Sequence, residues 1–366
     1  MRIRWQISTV ERAGLSTQSS VAFSPTGRAA VAYYSSVNHA LRFAIETETA
    51  LWDINTVDTM QSDCKPSLGF KLGQPTISYR VGPDNGPGEL RCATYSNGHW
   101  HTETVAQNAD VSSLAFDASH RAAISYYDST SKTLKLARWT GPSIWVTETA
   151  AKPGGEVDFN SLSFVPPRAP SVPERPAIAY HDLSYGSIVY ADLASNGWFS
   201  LWVGDLGTVP GLGRCSLAHA PDGRGVIVVG ALGAVKRYSN DSNFGWGFQG
   251  ISKARTGSIA YNPARAYERG MSYDFDGSVR YSLGYGIGHL LVEAPGKTQA
   301  GALIGPFELT STAFSAGGRP AISYYDISNN TIKVAVGTIV RLPLDYVADF
   351  VEQLLRALRS RGGENI

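Results

Sequence analysis

Short apolar runs alternate with turn-forming segments along most of this chain. The stretch from Ser113 to Thr149 contains four such runs, at 113–116, 123–127, 134–139 and 145–149. The segments between them are rich in Asp, Ser, Thr, Gly and Pro, which favour turns for separate stereochemical reasons. Four short apolar runs joined by such turns predict four strands of one antiparallel sheet.

The same pattern recurs seven times along the chain. In every copy the first strand opens with a serine, followed by one residue and then by Ala, Gly or Ser. These serines are Ser20, Ser67, Ser113, Ser161, Ser216, Ser258 and Ser311. Small side chains beside bulky ones suit an innermost strand, where neighbouring sheets crowd together. We interpret the serines as bonding nearby backbone in a tight space, and a ring of ligand-binding hydroxyls is the alternative.

A tyrosine in the second strand and a basic residue in the third recur at a constant interval. The pairs are Tyr33/Arg42, Tyr126/Lys135 and Tyr324/Lys333. A hairpin of this length places the two residues opposite each other on one face, within cation–π reach. We interpret the pairs as architecture, because a substrate site would not need so many copies.

The last repeat stops after its third strand, at Val336, and the fourth strand it lacks is found at the other end of the chain. Trp5 and the residues after it are similar to the fourth strands that begin at Trp100 and Trp145. We therefore predict that residues 3–10 complete the seventh sheet. Residues 1–336 would then close into a ring without a free sheet edge.

The repeat resembles seven-bladed β-propellers, in particular bacterial and archaeal repeat proteins whose blades read SLAF, AISYYD, LKLA and W in that order. The resemblance covers residues 3 to 336 and implies an all-β propeller with a display surface, but no particular activity. The segment from Ser239 to Trp246 is similar to the Asp box of sialidase propellers, from which it departs at Asn243 and Gly245. No arginine cluster of the sialidase type accompanies it.

Residues 337–366 change character after the last repeat. Apolar residues recur there at the three- and four-residue spacing of one helix face: Leu344, Val347, Val351, Leu354 and Leu358. This spacing predicts an amphipathic helix over about 344–360. Three placements stay open for it: against its own propeller, against a protein partner or second copy, or on a membrane surface. We name the five residues as a candidate partner-docking face.

Four carboxylates are the candidate binding residues. Asp128, Asp182 and Asp326 end second strands, and Asp274 stands close to the same place in the sixth repeat. Carboxylates on one face can hold calcium or sugar hydroxyls, whereas Asp before Ser, Thr or Asn also caps hairpins. Capping is the competing interpretation. The four lie in separate repeats, so they predict no acid–base pair.

No other motif indicates catalysis. His99 and His101 place two imidazoles on one face of a strand, but no third ligand is identifiable, so no metal site is predicted. The three cysteines have no C-x-x-C spacing. No hydrolase or nucleotide-binding motif occurs in a suitable context. The sequence thus predicts no cofactor and no catalytic residue.

Charge and hydropathy narrow the classes of partner that the chain is expected to bind. The chain of 366 residues has a formal net charge of +1, which argues against nucleic acid as a ligand. No run of 18 apolar residues predicts a membrane span, and the first residues lack the apolar core of a secretory signal. These features are consistent with the cytoplasm, or with a virion or secreted assembly.

Together these features predict a non-catalytic binding or assembly module. The first hypothesis is a recognition head for a glycan or a protein surface, tethered through its C-terminal helix to a larger assembly such as a virion, phage tail or injection apparatus. One alternative is a propeller enzyme acting on a carbohydrate, with its site on the face where the second strands end. An intracellular scaffold is another.

Overall fold

The protein folds as antiparallel β-structure throughout the residues that its computed structural model describes. These are residues 2–14, 18–83, 88–167, 172–206, 215–231, 234–242, 245–252, 254–265, 268–275, 278–284, 290–293 and 310–340. The strands of the first half are β1 (Arg2–Arg12), β2 (Ser19–Phe23), β3 (Ala29–Ser35), β4 (Ala40–Glu48), β5 (Leu51–Thr59), β6 (Ser67–Lys71), β7 (Gln74–Val81), β8 (Gly88–Ser96), β9 (His99–Phe116), β10 (Ala122–Asp128), β11 (Thr133–Gly141) and β12 (Ile144–Ala151). The remaining strands are β13 (Val157–Val165), β14 (Arg175–Asp182), β15 (Ser187–Ala194), β16 (Gly197–Asp205), β17 (Cys215–His219), β18 (Gly225–Ala231), β19 (Ala234–Ser242), β20 (Gly245–Ser252), β21 (Ala254–Tyr261), β22 (Arg269–Phe275), β23 (Ser278–Leu283), β24 (Leu290–Glu293), β25 (Ser311–Phe314), β26 (Pro320–Asp326) and β27 (Thr331–Val340). The predicted helix over 344–360, with Leu344, Val347, Val351, Leu354 and Leu358, lies outside these ranges.

The strands form five four-stranded sheets and one seven-stranded sheet, with chain neighbours paired in nearly every case. The seven-stranded sheet contains two of the sequence repeats, which share the long strand β9. The first part of β9 pairs with β8 and its last part with β10, and Ala109 is opposite both Gly88 and Asp128. The repeat predicts two separate strands here. β9 instead passes from one partner to the other through register shifts in both neighbouring ladders, and Asn108 and Val111 within it have φ angles of +57° and +28°.

The N-terminal strand β1 pairs with β27, the last strand of the described chain. Trp5 is opposite Gly337 and Thr9 is opposite Lys333, which makes β1 the outermost strand of the sheet β1-β27-β26-β25. β27 continues to Val340, beyond the end at Val336 that the repeat predicts. It does so because its last residues find backbone partners in the first residues of β1.

The seven repeated serines all bond backbone of the next repeat. Each hydroxyl accepts a hydrogen bond from an N–H in the first strand of the next repeat, over distances of 2.9 to 3.1 Å. The donors, in order from Ser20 to Ser311, are the N–H groups of Leu68, Leu114, Leu162, Leu217, Ile259, Thr312 and Val21. The last of these bonds joins the final sheet to the first. The backbone interpretation of the serines is confirmed.

Removing one of these hydroxyls tests how much such a hydrogen bond contributes to stability. Ser161→Ala leaves the Leu217 N–H without its acceptor between two sheets, and an unsatisfied buried donor costs about 1 to 3 kcal/mol. We expect a lower free energy of unfolding of this size by urea titration. Ser119→Ala, at an exposed loop position, is the matched control and should change little. Equal stability of the two variants would show that the inter-sheet bonds contribute nothing.

The core lies between successive sheets. One apolar cluster combines Val21 and Val31 of the first repeat with Ile332 and Val334 of the last, and Val10 of β1 packs into it. A second joins Tyr281 and Leu283 to Ile322 and Tyr324, with Trp5 against its side. Each sheet therefore buries both faces against its neighbours, which explains why the second strands are apolar on both sides.

The predicted tyrosine–cation pairs are opposite each other in the sheets: Tyr33/Arg42, Tyr126/Lys135 and Tyr324/Lys333. The charged groups of the basic residues meet carboxylates. Arg42 binds Glu11, Lys135 binds Asp128 and Lys333 binds Asp326. These cations thus neutralise acidic groups at the strand ends, a partner that the interval between tyrosine and cation could not predict.

Candidate functional site

Three of the four candidate carboxylates cap hairpins. Asp128 accepts hydrogen bonds from the backbone N–H groups of Thr130 and Ser131, each at 3.0 Å. Asp182 accepts from the N–H of Ser184 at 3.1 Å, and Asp326 accepts from the N–H of Ser328 at 3.0 Å. These are the Asx turns of the competing interpretation. Asp274 lies on β22, in the sheet of β21 to β24.

Capping and a neighbouring lysine keep two of these carboxylates ionised. Burial by itself raises the pKa of Asp128, but hydrogen bonds from Lys135 and Ser131 outweigh burial and lower it below the ordinary value. At Asp326 burial is likewise outweighed, there by Lys333 and Asn329, so the pKa is again lowered. Such carboxylates are fixed acceptors and would be poor proton donors.

The Tyr127 hydroxyl bonds to the loop that Asp182 holds. It donates to the carbonyl of Gly155 at 3.0 Å, and Asp182 accepts from the N–H of Gly154. Burial, and then the negative charges of Glu156, Asp182, Asp128 and Asp110, raise the pKa of Tyr127. Asp326 and Asp274 belong to other sheets.

A glycine-containing loop, residues 152–156, lies against the hairpin that Asp182 caps. The Gly154 N–H donates to Asp182 Oδ2 at 2.7 Å, and the Leu183 N–H donates to the Glu156 carbonyl at 3.0 Å. These bonds tie the connection between β12 and β13 to the turn between β14 and β15. The two segments form one surface at the ends of neighbouring sheets.

Tyr185 is the exposed group of this surface. Tyr185 is 72% exposed, yet its ring lies directly beside Gly154. A Cβ at Gly154 would collide with the ring, and one at Gly155 would collide with Ser184 Oγ. Two consecutive glycines therefore let the loop approach the hairpin tip closely enough to support the ring from one side. Because the residue is largely exposed, a ligand can reach the ring.

Polar residues of the same two loops accompany Tyr185. Ser184, Lys152 and Glu156 are exposed, while Asp182 behind them is buried. We call Tyr185, Gly154, Ser184 and Glu156, with Lys152, the Tyr185 surface. An aromatic ring held in place beside hydroxyl, amino and carboxylate groups can bind a ligand that has both an apolar face and hydrogen-bonding edges.

Sequence reasoning missed Tyr185, because the residue occurs at one hairpin tip and has no counterpart in the repeat. The available signal was the Gly-Gly pair at 154–155 together with a Tyr-Gly turn at 185–186. Neither is informative until the two loops are known to meet.

The remaining candidates are less suited to chemistry. The three cysteines are free and buried, and burial raises the pKa of Cys92 to about 12, so none supplies a thiolate. Within the described ranges, no group of three or more His, Cys, Asp or Glu could hold a metal ion. A search of the same ranges also finds no helix able to span a bilayer.

Comparison with known proteins finds structures with a similar fold but no family to which the chain can be assigned. No protein-family model matches it, and no curated protein matches it. AofleA from Arthrobotrys oligospora superposes with a TM-score of 0.51 at 14% identity, over 79% of this chain and 88% of that chain. An ulvan lyase bound to a GlcA-containing saccharide has a TM-score of 0.52 at 12% identity, over 92% and 98%.

A lectin of Aleuria aurantia, described as a six-bladed β-propeller with a fucose recognition mode, has a TM-score of 0.46 at 12% identity, over 88% of this chain and 91% of that chain. At these identities the likeness concerns the fold alone. The chain is all-β in its described part, and the AofleA and ulvan lyase structures share its overall fold.

Proposed function

We propose that the chain is a closed seven-bladed β-propeller that binds a glycan through the Tyr185 surface without catalysing a reaction. Three observations support the architecture. The seven-stranded sheet contains two repeats through β9, β1 supplies the outer strand of the last sheet, and the serine hydrogen bonds pass from each repeat to the next and return to the first.

The exposed, supported ring of Tyr185 is the observation that carries the binding role. Sugars present an apolar face of C–H groups and a rim of hydroxyls. The ring offers a flat apolar face, and Ser184 and Glu156 offer hydrogen-bonding groups beside it. The ulvan lyase of similar backbone holds a saccharide, so this class of ligand is the one we propose to test first.

A glycan array, followed by titration of the best binder, tests the role of Tyr185. We expect Tyr185→Ala to weaken binding at least about tenfold, because truncation of an anchoring aromatic costs more than about 1.4 kcal/mol. Gly154→Ala should also weaken binding, since the new methyl group displaces the ring while Tyr185 itself is retained.

Phe248→Ala is the matched control for this experiment. Phe248 is also 72% exposed but lies on β20, away from the Tyr185 surface. If Tyr185→Ala binds as tightly as Phe248→Ala, or if no glycan binds the wild-type chain, the proposed role of the surface is wrong.

A carbohydrate-cleaving enzyme is the alternative from another class. It requires an acid and a base near the bound sugar. Beside the exposed groups of the Tyr185 surface, the Tyr127 hydroxyl already donates to the carbonyl of Gly155 in the same loop, and burial raises its pKa. Release of shorter saccharides from a bound glycan would favour the enzyme over the recognition head.

The tether stays a prediction. Leu344, Val347, Val351, Leu354 and Leu358 would present one apolar face to a protein partner or to a second copy, and a larger assembly such as a virion or phage tail would hold the propeller by this segment. Asp128, Asp182 and Asp326 contribute in this proposal as caps that shape the loops, with Asp182 directly beneath the Tyr185 surface. Asp274, on β22, stays a candidate binding residue.

A further inference from the structure

His99 and His101 lie together on an outer stretch of β9. In this stretch β9 pairs with β8 alone, with Ser96 opposite His99 and Thr94 opposite His101. Both histidines are exposed. Alternate residues of a strand point to one face, and the two imidazole centroids are 4.3 Å apart with an interplanar angle of 53°.

A backbone bond determines which nitrogen of His99 is free. Nδ1 of His99 is 2.9 Å from the carbonyl oxygen of Asn97. A carbonyl only accepts, so Nδ1 carries the proton and Nε2 keeps its lone pair. The carbonyl is in turn positioned by a tight hairpin, in which Asn97 and Gly98 have φ angles of +53° and +86°. Metal-binding histidines are oriented by this kind of outer bond.

The separation of the rings suits one shared ion. Two imidazoles that bind through nitrogen at about 2.1 Å, with an angle of about 90 to 110° at the ion, have centroids about 4.6 to 5.3 Å apart. The observed separation is slightly shorter, and a small rotation of the exposed rings covers the difference. Glu103, next on the same face, already accepts from the Ser143 N–H and from Trp145 Nε1, each at 3.1 Å.

We infer that His99 and His101 form a two-nitrogen site for a late first-row divalent metal ion, with Cu²⁺ bound most tightly. Imidazole nitrogen suits nickel, copper and zinc. Among divalent first-row metals the affinity of such a site rises from manganese through nickel to a maximum at copper and falls again at zinc. Two protein ligands leave the other coordination positions to water. The expectation from sequence required a third protein ligand, which a site of this open kind does not need.

Titration of the untagged full-length protein with Cu²⁺ alone, followed by calorimetry and electron paramagnetic resonance, tests the site. We expect one tight ion per chain with two nitrogen ligands in the spectrum, and weaker binding of Ni²⁺ and Zn²⁺. His99→Asn and His101→Asn should each weaken Cu²⁺ binding at least about tenfold, because one chelating ligand is lost.

His120→Asn, at an exposed histidine of a different turn, is the matched control and should bind Cu²⁺ as the wild type does. All three histidines are exposed, so the variants should melt like the wild type, which separates lost binding from lost folding. Unchanged Cu²⁺ affinity in His99→Asn or His101→Asn, or a spectrum with a single nitrogen ligand, would overturn the inference. Tyr185→Ala should leave Cu²⁺ binding unchanged, so this result is independent of the glycan proposal.

Discussion

Trp5→Ala is expected to lower the free energy of unfolding by about 3 to 5 kcal/mol, the usual cost of truncating a packed tryptophan. The indole makes an edge contact with Tyr281, with ring centroids 5.0 Å apart, and it packs against the cluster that contains Ile322 and Tyr324. Gly337, opposite Trp5, has no side chain, and a Cβ there would lie 2.9 Å from the indole. The residue therefore attaches the N-terminal strand to the last sheet by packing as well as by backbone pairing.

Chemical denaturation followed by intrinsic fluorescence and circular dichroism measures this effect. Gln6→Ala is the control, because Gln6 is the next residue of β1 and is exposed. Trp5→Phe should cost much less than Trp5→Ala, since it keeps most of the apolar contact. A loss below about 1 kcal/mol for Trp5→Ala would mean that β1 does not hold the last sheet in place.

The second large effect is a loss of stability in acid that depends on His219. Its ring lies between Tyr190 and Ser163, with Nε2 and Nδ1 each 3.0 Å from a hydroxyl oxygen. Burial, and then the positive charge of Arg175, lower the pKa of His219 from 6.5 to about 3. The folded protein therefore keeps this imidazole neutral where an unfolded chain would protonate it.

The direction of the effect follows from proton uptake. Above about pH 6.5 neither state binds the proton, so His219 contributes no pH dependence. Between that pH and about 3 the unfolded state binds it and the folded state does not, so stability falls as the pH falls. The full difference at the acid end is on the order of 4 to 5 kcal/mol.

His219→Gln removes the titrating group while keeping polar atoms near Tyr190 and Ser163. We expect the free energy of unfolding of wild type, measured at several pH values from 7 to about 4, to fall more steeply than that of His219→Gln. The comparison cancels the carboxylates that both proteins share. His39→Gln, at an exposed histidine, should follow the wild-type curve. Parallel curves for wild type and His219→Gln would contradict the assignment.

The strands and the positions of the repeats could be predicted from the residue pattern, because both depend on residues that are close together in the chain. Short apolar runs and the turn-forming residues between them predicted the strands around Ser113 to Thr149, and the constant interval between tyrosine and cation predicted the opposition of Tyr126 and Lys135. The pattern did not predict that β9 runs unbroken through two repeats. Continuity there depends on register shifts in the ladders with β8 and with β10, and the repeat pattern has no signal for these shifts.

For the candidate site, too, one part could be predicted from the sequence and the other part depended on the tertiary structure. Asp128 and Asp182 could be chosen because each ends a strand before turn residues, but the bond between Asp182 and Gly154 depends on how two loops meet in the fold. The support of Tyr185 by Gly154 depends on the same packing. The site at Tyr185 therefore became visible only with loop contacts, and the sequence, which places His99 and His101 on one face, does not give the separation of their rings.

The amino-acid sequence by itself determined that this chain is a β-strand repeat, which segment forms the first strand of each repeat, and which residues are small enough to lie there. Tertiary structure alone decided that each serine accepts a bond from the following repeat, that the lysines of the third strands neutralise capping carboxylates, and which aromatic ring is left supported but uncovered. The physical reason is the distance along the chain over which each effect acts. Backbone propensity and alternation act between near neighbours in the chain, whereas hydrogen-bond partners and exposed faces depend on packing between sheets that the chain brings together from distant segments.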